Sequence, residues 1–486
     1  MLAKPLKNVP HTKDTSASAS SQLYRWIEGL LTFFVFFTMG ADPAPHRNEA
    51  HYLCRLKHFW DPEWCQGDLF LDSPDAHFTV VWLLGWLTLF FSLETVAWIG
   101  RLICWTLLAW AWQRLHRRIA PVTLLAPLTA ALFVVGTEQF HLAGEWLIGG
   151  FEAKTLAYGI VVLALSNAID GRWNRGWILL GIASAMHALV GAWSVVALFL
   201  AWSFGKKQQT LRGMAPGLVI GAGISMLGVW PAIALNLDTD PEIVSKANEI
   251  YVFMRLPHHL SLLTMDPNWL MNRVLRHAIV IILLILTGRL LKNQSKANHQ
   301  EVSPSERNGL SLLRAFAWAS LCISATGFVI EIIGFNHLAW SASLLKYYWW
   351  RLADIAVPLA VAMSFASCFK HSLASQRGMA LVALVSALLF VGWGLGGHSL
   401  RKLDGVDAPA DTVLNEPDDW FLMCEWVSLN TPKDSCFFVP RRSHSFKWYT
   451  GQPEVVTYKD VPQDAATMLE WHERFHDVYQ IGYNED

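Results

Sequence analysis

Asp42-Pro43-Ala44-Pro45-His46-Arg47-Asn48-Glu49-Ala50-His51-Tyr52-Leu53 opens a polar stretch that runs to Asp75 between two apolar runs. It carries the carboxylates Asp42, Glu49, Asp61, Glu63, Asp68, Asp72 and Asp75. An acidic segment set among apolar runs is either a solvated connector or a place where chemistry happens at a membrane edge. Composition frames the choice. The chain has 486 residues, 53% of them hydrophobic and 16% charged, whereas an ordinary soluble domain is about a quarter charged. Recurrent apolar runs of spanning length predict an all-α polytopic membrane protein. The 25 tryptophans suit the water–lipid boundary. With a net charge of −1 and no long basic tract, neither nucleic acid nor a polybasic lipid contact is indicated.

Apolar runs lie near 24–40, 78–92, 95–112, 119–136, 155–169, 177–188, 190–204, 214–234, 274–291, 313–333, 352–369 and 378–396. If 78–92 is an interfacial or re-entrant helix inside an outer loop 41–94, eleven spans remain. The N-terminus is then cytoplasmic and the C-terminal domain lies on the outer face of a bacterial inner membrane. Lys and Arg are roughly three times denser in 1–25, 113–118, 170–176, 205–213, 289–314 and 370–378 than in 41–94, 137–154, 187–190, 236–273 and 335–351, as the positive-inside rule requires. A crossing at 78–92 would move Arg114-Leu115-His116-Arg117-Arg118 to the wrong side. The chain therefore divides into a disordered tail 1–22, a membrane domain 23–396 and a small α/β outer domain 397–486. In the last, 418–429 and 463–479 read as helices and 435–439 and 454–458 as strands. Cys54 with Cys65, and Cys424 with Cys436, allow two disulfides in an oxidising compartment. A metal site on Cys54, His58 and Cys65, or free thiols, are the other readings.

Five constellations gather on the predicted outer side. Glu49 and Asp42 could serve as a base if held at a dry membrane edge; otherwise they are solvated loop acids. In Gly149-Gly150-Phe151-Glu152-Ala153-Lys154, Glu152 and Lys154 enter a helix that carries Tyr158. A helix N-terminus favours an anion, so Lys154 could hold a phosphate that Glu152 orders; a self-satisfied ion pair is the alternative. His187 falls between two short apolar runs, where a bend could turn it into a cavity or packing could simply bury it. Arg255-Leu256-Pro257-His258-His259 forms a compact cationic hand suited to phosphate, or a chance loop pairing. Arg351 closes Lys346-Tyr347-Tyr348-Trp349-Trp350-Arg351, either at a site or as a snorkelling anchor.

Asn48-Glu49-Ala50-His51-Tyr52-Leu53 is similar to the Asp-Glu-x-x-Tyr pattern of the protein mannosyltransferase and aminoarabinose transferase branches of the GT-C glycosyltransferases. The succession of first span, long outer loop, amphipathic stretch, acidic motif before a later span and C-terminal outer domain also resembles that class. Asn48 stands where the pattern has Asp. The Glu152-x-Lys154 motif, the Gly171-Arg172-Trp173 turn, His187, Arg255 to His259 and Thr431-Pro432-Lys433-Asp434 look most like an uncharacterised bacterial multi-span family related to GT-C enzymes. The resemblance implies a GT-C-like fold and inverting transfer of a sugar from a polyprenyl-phosphate donor to an acceptor at the outer face. Glu49 would be the base, aided by Asp42. Lys154, Arg255, His258, His259 and Arg351 would bind donor phosphate, with Glu152, Tyr158 and His187 in support. Membrane lipid and the lipid-linked sugar are the expected partners. No cofactor is implied by the residues, and a divalent metal is left open. A lipid-handling permease or transporter, and a non-catalytic scaffold, are the other readings.

Overall fold

The computed structural model describes residues 15–205, 209–297, 304–403 and 407–479. Helices stand at every apolar run. Six have the length and apolarity to cross a membrane: Leu93–Ile119, Leu211–Ala234, Pro267–Gln294, Ser305–Asn336, Arg351–Ser375 and Arg377–Leu400. Leu125–Phe140, Ala153–Ile169 and Ala188–Phe204 are shorter apolar helices. The chain is thus a multi-pass, all-α membrane protein.

The helix Ala153–Ile169 has apolar residues all round and is buried along nearly its whole length, as a helix without a polar face must be. It packs against Leu93–Ile119 and Trp173–Met186. Arg351–Ser375 is the most buried of the long helices. Leu211–Ala234, Pro267–Gln294 and Arg377–Leu400 expose most of their apolar surface and form the rim of the bundle.

Two expectations change, at the N-terminus and in the C-terminal segment, and the non-crossing 78–92 run gains detail. The first helix begins at Thr15, inside the segment read as a disordered tail; residues 1–14 of that tail lie outside the described residues. The 78–92 run is broken into an α-helix, Phe78–Leu84, and a 3₁₀ turn, Gly85–Leu89, too short to cross. It leaves Trp82, Trp86 and Phe90 exposed. The C-terminal segment has helices at Pro417–Asn430 and Ala465–Tyr479, but the two expected strands reduce to one parallel bridge between Phe437 and Glu454. Pro440 follows the first segment and Pro453 precedes the second. Neither can donate to a ladder, and the Glu454 N–H goes instead to Asp68 Oδ2 at 3.1 Å.

The first polar loop is organised by the helix Glu49–Trp60, which packs against Leu93–Ile119. The C-terminal segment folds back on it. Lys447 is buried among Asp68 at 3.0 Å, Glu454 at 3.1 Å and Asp460 at 2.6 Å, which ties loop and C-terminal segment into one core. All seven cysteines are free thiols, with Cys54, Cys65, Cys104 and Cys424 buried.

Candidate functional site

Glu49 is fully buried and is the anchor of the loop. Its Oε1 accepts from Arg101 Nε at 2.7 Å and the Phe151 N–H at 2.6 Å. Its Oε2 accepts from Arg101 Nη2 at 2.5 Å and the His46 N–H at 2.7 Å. Each oxygen therefore takes two donors, and none of this set is solvent. Gly150 makes the approach feasible: a Cβ there would lie 2.5 Å from the His46 Cβ and 2.7 Å from the Glu49 Cδ. Asp42 is also engaged, with Lys402 Nζ 3.2 Å from its carboxylate and Arg101 Nη1 donating to its carbonyl at 2.5 Å. The two acids expected to act as bases are thus held as anchors in this arrangement. Arg101, in the middle of an apolar helix, is the partner that loop spacing could not reveal.

The cationic residues do converge. Glu152 precedes the first turn of Ala153–Ile169 and makes no capping bond. Lys154, in that turn, lies 3.3 Å from Glu152 and 3.9 Å from Glu145, with its ammonium 4.1 Å from the Trp146 ring centroid. Arg351 Nε is 3.1 Å from the same Glu145, its guanidinium stacks 3.8 Å from the Tyr348 ring, and Nη1 is 3.3 Å from His187 Nε2. His187 is the break between Trp173–Met186 and Ala188–Phe204, as the two short runs predicted. Tyr158 is buried against Glu145. Lys154 and Arg351 therefore share two carboxylates, Glu145 and Glu152.

Arg255 and Lys459 do not. Arg255 ends a π-helical turn, Ile250–Arg255, a geometry that often marks functional positions. It is buried, its Nε has no hydrogen-bond partner, and its guanidinium lies 4.3 Å from the Tyr458 ring centroid. Its Nη2 reaches only the Lys459 carbonyl, at 3.3 Å. Lys459 Nζ donates to Asn48 Oδ1, and Asn48 Nδ2 donates to Glu152 Oε1 at 2.8 Å. Among the described residues neither cation is in salt-bridge contact with a carboxylate. Burial, reinforced by the neighbouring Arg255, pushes the Lys459 ammonium down to about 8. The Nδ1 atoms of His46 and His444, both of which feel the Lys459 charge, are buried without partners as well.

The two adjacent histidines change character. Burial and then Arg255 hold His258 down to about 4, and burial with His258 beside it lowers His259 well below its usual value. The rings lie with centroids 4.1 Å apart at a tilt of 47°, and His259 Nδ1 pairs with the Ala143 carbonyl. At neutral pH the expected cationic hand is one arginine beside two neutral imidazoles. The sequence reading missed Glu145, Asn48 as a bridge, and Lys459.

His58, in the alternative metal reading, is committed to the Trp64 carbonyl at 2.7 Å and to Asp72 at 2.9 Å. Among the described residues no three His, Cys, Asp or Glu side chains form a metal-binding group.

Fold and site define a polytopic α-helical membrane protein in which a cationic cluster is assembled jointly by the membrane helices, the first polar loop and the C-terminal segment. Within that segment, residues 418–478 match a domain of unknown function (DUF6798). The match includes Lys459. No curated protein matches the chain.

Proposed function

We propose that the cluster binds the phosphate of a lipid-linked sugar and that the protein transfers the sugar to an acceptor hydroxyl at the outer face of a bacterial cytoplasmic membrane. The observation that carries this reading is the pair Arg255 and Lys459, largely buried and, among the described residues, in salt-bridge contact with no carboxylate. A buried cation is costly unless it is paired. An anion that arrives between them recovers charge-assisted hydrogen bonds and would stabilise charge on a departing phosphate. The neighbouring Lys154 and Arg351 are already compensated by Glu145 and Glu152, so they order the site rather than supply its free charge.

The reading keeps the eleven-span topology, with the N-terminus cytoplasmic and the cluster outside. It gives Glu49 and Asp42 the role of holding the loop in place. The test is sugar transfer from undecaprenyl-phosphate-linked hexoses by the purified protein in lipid. Arg255→Ala with Lys459→Met is expected to abolish transfer while leaving the thermal unfolding midpoint unchanged or higher. Full transfer by that double variant would refute the reading.

A further inference from the structure

A small cavity lies beside the cationic cluster, lined by His51, Tyr52, Phe70, His77, Phe151 and Ala153 among others. Phe151 and Ala153 flank Glu152 in the chain, so the cavity reaches the entrance of the helix that carries Lys154. His51 Nδ1 is 2.8 Å from Asp460 Oδ1, and its ring stacks on Phe70 with centroids 4.3 Å apart. Asp460 is itself fixed by Lys447 at 2.6 Å. This is the arrangement that holds an imidazole in one tautomer: the carboxylate accepts a hydrogen bond from Nδ1–H, which leaves Nε2 as an acceptor. On the opposite wall, His77 Nδ1 is occupied by Asp75 at 3.0 Å and Gln463 at 2.9 Å.

The register of the two elements sets the spacing. Asn48 precedes the helix Glu49–Trp60 and meets Lys459; His51, about one turn further on, meets the next residue, Asp460. The Lys459 charge accordingly acts on the His51 imidazole, which places the ring near the cationic cluster.

We propose that His51, oriented by Asp460, is the general base of the transfer, an inference that rests on the phosphate-donor reading. The acceptor hydroxyl gives its proton to His51 Nε2 as its oxygen bonds to the anomeric carbon. The bond from that carbon to the phosphate oxygen breaks, and its electron pair leaves with the lipid phosphate. The proton then passes from His51 to water. Burial holds the His51 imidazole below its ordinary value, against the opposing pull of Asp460, so the ring enters the reaction neutral. Asp460 is a positioning residue, contributed by the segment that matches the domain of unknown function.

The experiment uses the full chain in nanodiscs with undecaprenyl-phosphate-linked glucose, mannose and galactose as probes. Water stands in for the acceptor. Binding of undecaprenyl phosphate and release of free sugar are read separately. His51→Gln is expected to lower release by about 10²- to 10⁴-fold while binding stays within about twofold. Asp460→Asn should act in the same direction on release and not on binding. Unchanged release in His51→Gln overturns the inference, as does wild-type protein that binds undecaprenyl phosphate and releases none of the three sugars. Wild-type protein that fails to bind undecaprenyl phosphate removes the phosphate reading and this inference with it. If His51→Gln does not fold, carbethoxylation of wild-type His51 gives the readout: protection by undecaprenyl phosphate supports the assignment, and its absence overturns it.

Discussion

Two buried charge centres lie within a few residues of each other and differ in one respect. At Glu49–Arg101 the carboxylate takes four hydrogen bonds and each of the three guanidinium nitrogens donates to a loop oxygen. At Arg255–Lys459 the cations meet a carbonyl, a carboxamide and an aromatic face. The first centre is complete without a ligand. The second gains from an anion. Burial alone does not mark a functional charge; burial with unspent hydrogen-bonding capacity does.

That contrast can be broken from either side. Arg101→Met leaves the Glu49 carboxylate buried without its ion-pair partner, and removal of one member of a buried pair costs about 3–5 kcal/mol. A thermal unfolding midpoint equal to wild type would show that the anchor is dispensable. Glu49→Gln is expected to lose stability too, which separates an anchor from a base, since a base variant would lose activity with its fold intact. Gly150→Ala pushes a methyl group onto His46 and Glu49 and should cost about 1–3 kcal/mol, the usual range for overpacking; unfolding in denaturant measures it.

The smallest effect is in pH. The Lys459 pKa is depressed to about 8 in the unliganded protein, by burial and by Arg255. Lys154 also opposes its charge, and Glu152 and Asp460 favour it. A bound phosphate stabilises the protonated ammonium, so ligand binding is linked to proton uptake once Lys459 has begun to titrate. Above the second ionisation of the phosphate, at about pH 6, affinity for undecaprenyl phosphate should be level up to about pH 8 and decline as pH rises through it. A depressed lysine also binds fewer protons folded than unfolded, so its effect on stability has the opposite sign: stability contributed by this group rises between about pH 8 and its unfolded value. Lys459→Arg should flatten the binding decline. An equal decline in that variant would assign the titration elsewhere.

Much of the architecture was legible. Length and apolarity marked every helix of the bundle, and the two short runs around His187 marked its bend. The charge context pointed to a 78–92 run that does not cross, and its helix is too short to do so. Lys154 was recognisable by its place at a helix N-terminus, Arg255 and Arg351 by the histidines and aromatics clustered with them in the chain, and His187 because an ionisable residue at membrane depth is rare. That same rule pointed at Arg101, an arginine inside the 95–112 run, and would have turned Glu49 from a free acid into half of a pair.

Other parts depended on three-dimensional proximity. Lys459 lies 411 residues from Asn48 in the chain, and no local pattern encodes that contact. The strands at 435–439 and 454–458 failed because residue type predicts extended backbone, whereas pairing also needs donors that the flanking prolines do not provide. The paired histidines looked cationic in sequence because protonation is set by burial and neighbours, which spacing does not convey.

The central claim is that the unspent cations are there for a phosphate. Its most direct test is the affinity of undecaprenyl phosphate for wild-type protein and for the Arg255→Ala, Lys459→Met double variant, measured in nanodiscs at pH 7 together with each protein's unfolding midpoint. The account predicts that the double variant loses at least about tenfold in affinity, or about 1.4 kcal/mol, and keeps or raises its midpoint. Equal affinity in the two proteins would contradict it.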